Sequence, residues 1–79
     1  MKNAILPPEG FGEAKLSLYG DRALSAENHT GLVSIGSTAI LFRVGTRLAC
    51  VRGTELFVEE ADGALLRIKG KISSIEYLT

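Results

Sequence analysis

The single histidine is the side chain best suited to chemistry in this sequence, and it lies in the run Glu27-Asn28-His29-Thr30-Gly31. As a metal ligand it would need two or three further ligands, but the sequence has no second histidine and no pair of cysteines. As a general base it would need a nucleophile and an orienting group held beside it. We therefore interpret the run as a turn, in which Asn28 starts an Asx-type turn and Gly31 supplies the positive φ that closes a hairpin.

The single cysteine and one acidic run are the next candidates. Cys50 lies inside an apolar run, which predicts a buried free thiol that behaves as a small hydrophobic side chain. The run Glu59-Glu60-Ala61-Asp62-Gly63 lacks the alternating oxygen ligands and the final glutamate of a calcium-binding loop. It instead predicts a charged hairpin tip with Asp62-Gly63 as the turn.

Three arginines, Arg43, Arg47 and Arg52, fall close together and could bind a phosphate or a carboxylate. A solvated strand face is the simpler interpretation. The sequence contains no P-loop, GxGxxG, GxSxG or HExxH motif. It therefore predicts a protein that is not an enzyme and that uses no metal and no cofactor.

Composition describes one small globular domain. Of the 79 residues, 46% are hydrophobic, and nine Lys and Arg balance nine Asp and Glu to a net charge of zero. This balance argues against nucleic-acid partners and against electrostatic binding to anionic membranes, and it favours self-association. No apolar run is long enough for a signal peptide or a membrane span. We expect a homo-oligomer, because a chain of this length buries a small core.

Regularly spaced glycines predict an all-β fold, because each follows a short run rich in Leu, Ile, Val or Phe. Residues 1–12, with Pro7-Pro8 and two glycines, form an irregular leader, and residues 13–79 form a single domain. We expect a small β-sandwich of seven to eight short strands. The alternative is a short β-solenoid, since Gly20, Gly36, Gly53 and Gly70 close similar units 16 or 17 residues apart. The predicted strands are 14–19, 22–27, 32–36, 38–44, 47–52, 55–59, 64–69 and 71–77.

Period-two alternation assigns one face of each strand to the core. The alternation slips at Ser73-Ser74, which predicts a β-bulge there. The core face contains Leu16, Leu18, Val33, Ile35, Ile40, Phe42, Val44, Leu48, Cys50, Leu56, Val58, Leu66, Ile68 and Ile72. Apolar residues remain on the opposite face, where together they would form an interface patch. These candidate interface residues are Leu41, Val51, Phe57 and Leu65, with Ala49 beside them.

The order of several short motifs resembles that of the YabP/YqfC family of sporulation proteins, and of its YqfC branch in particular. The first motif is the turn Glu27-Asn28-His29-Thr30-Gly31, followed by Leu32-Val33. The second is the ending Gly70-Lys71-Ile72-Ser73-Ser74-Ile75-Glu76-Tyr77. The resemblance extends from Leu6 to Leu78. The sequence departs from the family pattern at Glu9–Gly12, Gly36–Ala39 and Cys50–Gly53.

The resemblance implies a compact immunoglobulin-like β-sandwich with a non-enzymatic role. That role is structural or scaffolding work in building the spore envelope. The implied partner is a larger membrane-associated sporulation protein, and the implied location is the mother-cell cytoplasm, at the periphery of the forespore membrane. The alternative that the residues leave open is a small β module that binds a ligand or a polysaccharide through Asn28–Gly31 and the nearby arginines.

Overall fold

The computed structural model describes residues 15–78, which form six strands and no helix. Within this range no helix is long and apolar enough to cross a membrane. The strands make one antiparallel sheet in the order β1-β2-β6-β5-β4-β3. Their bounds are β1 Lys15–Tyr19, β2 Ala23–Glu27, β3 Gly31–Ile35, β4 Ala39–Val44, β5 Arg47–Ala61 and β6 Leu65–Tyr77.

The eight predicted strand segments become six strands because the last four join in pairs. Segments 47–52 and 55–59 are continuous as β5, and segments 64–69 and 71–77 are continuous as β6. Both long strands contain a glycine at the point where the pair bends. Glycine allows a strand to bend there without ending. The predicted leader 1–12 and the predicted boundary at residue 13 lie outside the described residues.

Gly53 and Gly70 mark the bend of the two long strands. A Cβ atom at Gly53 would overlap the carbonyl oxygen of Lys71, and one at Gly70 would lie 2.5 Å from the carbonyl oxygen of Glu55. Only glycine permits these close approaches of one backbone to the other. The predicted bulge is confirmed at the same place, because Arg52 is opposite Ser74 while Gly53 is opposite Ile72, which leaves Ser73 as the extra residue.

The bend folds the sheet over itself into two layers. The first layer consists of β1, β2, residues 65–69 of β6 and residues 57–61 of β5. The second consists of β3, β4, residues 47–54 of β5 and residues 71–77 of β6. Strands β2 and β4 are not neighbours in the sheet, yet both contribute to the same core, so the layers face each other. The all-β, sandwich-like prediction is confirmed.

Strand direction is incompatible with the β-solenoid that the glycine spacing offered as an alternative. Every neighbouring pair among the described strands is antiparallel, whereas the rungs of a β-helix stack in parallel. Gly20 and Gly45 adopt positive φ values of 62° and 64° in tight turns between antiparallel strands. The repeat is therefore the spacing of turns and bends in a folded antiparallel sheet.

The core is fully apolar and lies between the layers. It contains Leu24, Ala26, Ile40, Phe42, Ala49, Val51, Leu56, Leu66 and Ile68. Ala49 and Val51 belong to it, although alternation had assigned them to the outer face together with Leu41. The two-residue turn Gly45-Thr46 explains the difference, because it places Val44 opposite Arg47 and therefore Phe42 opposite Ala49. Paired residues of an antiparallel ladder share a face, so a buried Phe42 requires a buried Ala49.

Candidate interaction site

An apolar pocket of about 300 Å³ lies between β1 and the end of β6. The first layer contributes Leu16, Leu18 and Leu24, and the second contributes Ile75 and Tyr77, with Glu76 beside them. Its volume is at the lower limit for sites that take small molecules, about 300 to 1,000 Å³. It also matches the space that one or two large side chains of a protein partner would fill.

The pocket is open because β1 extends beyond the second layer. Leu18 is opposite Leu24, a core residue, so both side chains point to the inside of the sandwich. Leu24 is fully buried, whereas Leu18 is 56% exposed. In the described sheet β1 is an outermost strand, and the second layer on this side ends at residues 71–77 of β6. We call β1 and the adjoining pocket the open edge.

The two outermost strands both expose large apolar side chains. On β1 these are Leu18 and Tyr19, each 56% exposed, and on β3 they are Val33 at 50% and Ile35 at 59%. The strands differ in regularity. All five residues of β1 pair in unbroken register with β2, while the register of β3 shifts between Leu32 and Ser34. A bulge of this kind is one of the devices by which proteins protect an edge strand from further pairing.

Two of the three arginines are occupied by contacts within the molecule. Arg52 donates a hydrogen bond of 3.2 Å from Nε to the Glu76 carboxylate, and both side chains are exposed. Arg47 stacks over the ring of Tyr77 at 3.9 Å from its centroid. Arg47 and Arg52 differ in strand face, since Arg47 shares the phase of the core residue Val51 and Arg52 does not. The arginines therefore do not converge on one anion site.

His29 joins the link between the layers to the tip of the β5–β6 hairpin. Its ring is 7% exposed, and Nε2 lies 3.0 Å from the carbonyl oxygen of Asp62. The amide of Gly31 donates a 3.1 Å hydrogen bond to Nδ1. The neutral ring with its proton on Nε2 satisfies both contacts, donating to Asp62 and accepting from Gly31. Both ring nitrogens are therefore used inside the fold, as the structural interpretation expected.

The hairpin predicted at Asn28–Gly31 is wrong, although the turn exists. Strand β2 pairs with β1 and β6, whereas β3 pairs with β4, so the turn carries the chain from the first layer to the second. Asn28 has a φ of 63° and Gly31 one of 148°. Glu27, the first residue of the signature turn, is exposed at the end of β2 opposite Lys15.

The hairpin predicted at the acidic run exists, but its tip is Asp62, Gly63 and Ala64, because Glu59, Glu60 and Ala61 still belong to β5. One carboxylate oxygen of Asp62 accepts hydrogen bonds from the amides of Leu65 at 2.7 Å and Ala64 at 2.8 Å. These two bonds lower the pKa of the Asp62 carboxyl below its usual value, since they favour the charged carboxylate. Among residues 15–78 no group of His, Cys, Asp or Glu is arranged to hold a metal ion.

The four predicted interface residues do not form one surface. Val51 is fully buried in the core, which removes it from any exposed patch. Leu41 is half-buried on the outside of the second layer, opposite Cys50, which is buried and free as predicted. Phe57 is 51% exposed on the outside of the first layer.

Charged side chains surround Phe57. The residue opposite it is Lys69, which pairs with Glu59 at 3.2 Å. Leu65, the fourth predicted residue, is half-buried opposite Glu27.

The sequence did not predict the open edge, because Leu16 and Leu18 alternate with polar residues in the pattern typical of core residues. Alternation reports the face of a residue but not whether another layer covers it. The comparisons add no relative that points to this surface: no family model matches the chain, and neither a curated protein nor a solved structure matches it.

Proposed function

We propose that this protein is a non-enzymatic interaction module that helps to build the spore envelope of an endospore-forming bacterium. The observation that carries the proposal is the open edge. There an inward-facing leucine, Leu18, remains 56% exposed beside an apolar pocket. A contact with another protein would remove this surface from water, and buried apolar area stabilises a contact by roughly 25 cal/mol per Å².

The shape of the open edge favours a protein partner over a small ligand. The pocket is open at Leu18, which is 56% exposed, whereas small-ligand sites usually enclose most of their ligand. A free strand beside the pocket offers main-chain hydrogen bonds to an added strand, while the pocket accepts its alternate side chains. The alternative ligand site at Asn28–Gly31 lacks such support, since both nitrogens of His29 bind within the chain.

The sporulation role is supported by the resemblance to the YabP/YqfC family. Each of the two motifs that carry the resemblance includes residues that hold the fold together or line the pocket. The turn motif contains His29, which clamps two connections together. The ending motif contains Gly70 at the bend and the pocket residues Ile75 and Tyr77. By the same resemblance, the protein works in the mother-cell cytoplasm next to the forespore membrane, with a membrane-associated sporulation protein as partner and without a cofactor.

Deletion of the gene in its host tests the sporulation role. We expect normal vegetative growth and a loss of heat-resistant spores, and restoration of spores by the wild-type gene supplied elsewhere in the chromosome. A deletion strain that forms resistant spores at the normal frequency would show the proposed role to be wrong.

Complementation with two matched variants tests the open edge itself. Leu18→Lys and Ile35→Lys each place a charge at an apolar position of similar exposure, 56% and 59%, on opposite outermost strands. We expect Ile35→Lys to restore sporulation and Leu18→Lys to fail, with both proteins present at wild-type level. Full restoration by Leu18→Lys would remove the open edge from the function.

A further inference from the structure

We infer that the open edge binds a second copy of this chain, with β1 paired antiparallel to β1 of the other copy around a two-fold axis at Ser17. The inference rests on the proposed function, because it names a partner for the same surface. It is carried by the regularity of β1, by the symmetry of its sequence and by the placement of its apolar side chains.

The strand Lys15–Tyr19 is suited to pairing with itself. An antiparallel pair centred on Ser17 places Leu16 opposite Leu18 of the second copy and Lys15 opposite its Tyr19, so that all five residues pair. Every inward residue then meets an inward residue, as an antiparallel ladder requires. Registers centred between two residues would place a leucine opposite a serine or a lysine, on the wrong face of the sheet. A register centred on Leu16 or Leu18 would pair fewer of the described residues.

The pairing covers the apolar surface that residues 15–78 of a single chain leave open. On the inner face, Leu16 and Leu18 of both copies would form one cluster that closes the two pockets toward each other. On the outer face, Lys15 would reach the ring of the opposite Tyr19, a pair that a cation–π contact favours. The first layer of each copy would then join into one continuous sheet across the axis.

Edge protection favours β1 over β3, and electrostatics does not oppose pairing of β1 with itself. The net charge of zero creates no overall repulsion between two copies. Lys15, the one charged residue of β1, stands at the strand end and alternates with the inward Leu16, so it does not obstruct the inner face. Strand β3 carries no charged residue, but its register shift at Val33 disrupts the ladder that a further strand would extend.

The oligomeric state of the purified chain tests the inference. We expect sedimentation equilibrium to show a concentration-dependent dimer of the 8.4 kDa chain. Leu18→Lys should remain folded and monomeric, because a charge would then lie inside the paired edge. The matched variant Ile35→Lys should dimerise like the wild type. A wild type that remains monomeric at its highest soluble concentration, or a dimer lost with Ile35→Lys and kept with Leu18→Lys, would overturn the inference.

Cross-linking gives a second readout that does not depend on a charged variant folding. In the predicted register Ser17 faces Ser17 of the other copy, with Cα atoms about 4.5 to 5.5 Å apart, which a disulfide can span. Mild oxidation should therefore convert Ser17→Cys to a covalent dimer. Ser34→Cys on β3 is the matched control and should remain monomeric, and buried Cys50 should not react in either protein. Equal cross-linking of both variants would contradict the register.

The two proposals can fail separately. A monomeric wild type whose gene is still required for spores would leave the sporulation role standing and remove the self-pairing. A dimer with the expected response to Leu18→Lys, in a host whose spores do not need the gene, would leave the self-pairing standing and remove the sporulation role.

Discussion

Among single residues, two polar side chains fix the segments between strands, namely the link from β2 to β3 and the tip of the β5–β6 hairpin. His29 binds the carbonyl of Asp62 through Nε2, and the carboxylate of Asp62 holds the amides of Leu65 and Ala64. The crossing between the layers is thereby attached to the tip of the longest hairpin. Each of these bonds satisfies a backbone group that a turn would otherwise leave to water. His29 and Asp62, whose side chains could serve in catalysis or metal binding, instead hold the backbone of the fold.

The carboxylate of Asp62 predicts a component of acid sensitivity. Its folded-state pKa is lowered below 3.8, so its stabilising contribution is complete above the unfolded-state pKa and is lost as pH falls through the folded-state pKa. We expect the urea midpoint of the wild type to fall more steeply than that of Asp62→Asn between about pH 4 and pH 2. Urea titrations followed by circular dichroism would measure it. Parallel curves for the two proteins over that range would contradict the prediction.

At the scale of elements, the bend of β5 and β6 decides the architecture. At the bend the two paired strands approach closely, with Gly53 against the backbone of Lys71 and Gly70 against that of Glu55. Straight strands of this length would give a single layer with both faces in water. The bend brings β2 and β4 onto a common core instead.

A methyl group at the bend should therefore be costly. In Gly53→Ala the new Cβ would overlap the carbonyl oxygen of Lys71, which is backbone and cannot rotate away. We expect a loss of roughly 1–3 kcal/mol in unfolding free energy, the usual cost of forced overpacking. Gly63→Ala is the matched control, because no heavy atom lies within 4 Å of its new Cβ, and it should change stability by less than about 0.5 kcal/mol. Equal urea midpoints for the two variants would show that the crossing tolerates a side chain.

At the scale of the whole molecule, one apolar core holds both layers together. Val51 of the second layer and Leu24 of the first belong to the same cluster, and each is fully buried. A chain this short has little other apolar area to bury, so its stability is expected to be modest. Because the second layer is small, it does not cover the whole of β1, and Leu18 remains exposed.

Loss of the Val51 side chain tests this arrangement. We expect Val51→Ala to lower the unfolding free energy by about 2 kcal/mol, from lost transfer energy and a residual cavity. We expect it to do so in a single cooperative transition, because both layers share the core. Val33→Ala, at a position 50% exposed, should stay within about 0.5 kcal/mol of the wild type. A Val51→Ala effect no larger than that of Val33→Ala would place Val51 outside the core.

Features that depend on neighbouring residues could be predicted from the sequence. Runs of Leu, Ile, Val and Phe between glycines predicted the strand segments. The slip in alternation at Ser73 predicted the bulge, and Asp62-Gly63 predicted the hairpin tip. The buried state of Cys50 followed from its apolar surroundings along the strand. All of these reflect local backbone preference and period-two geometry, which act within a few residues.

Which strands pair, and which edge stays open, could not be predicted from the sequence and followed from the packing of the two layers. The run Leu48–Val51 is apolar throughout, so alternation assigned its faces wrongly, and pairing through the Gly45-Thr46 turn places Val51 inside. The turn at Asn28–Gly31 looked like a hairpin locally but joins strands of different layers. Leu16 and Leu18 have the pattern of core residues, and their exposure depends on where the opposite layer ends. Each of these outcomes depends on contacts between residues far apart in the chain, which local patterns do not encode.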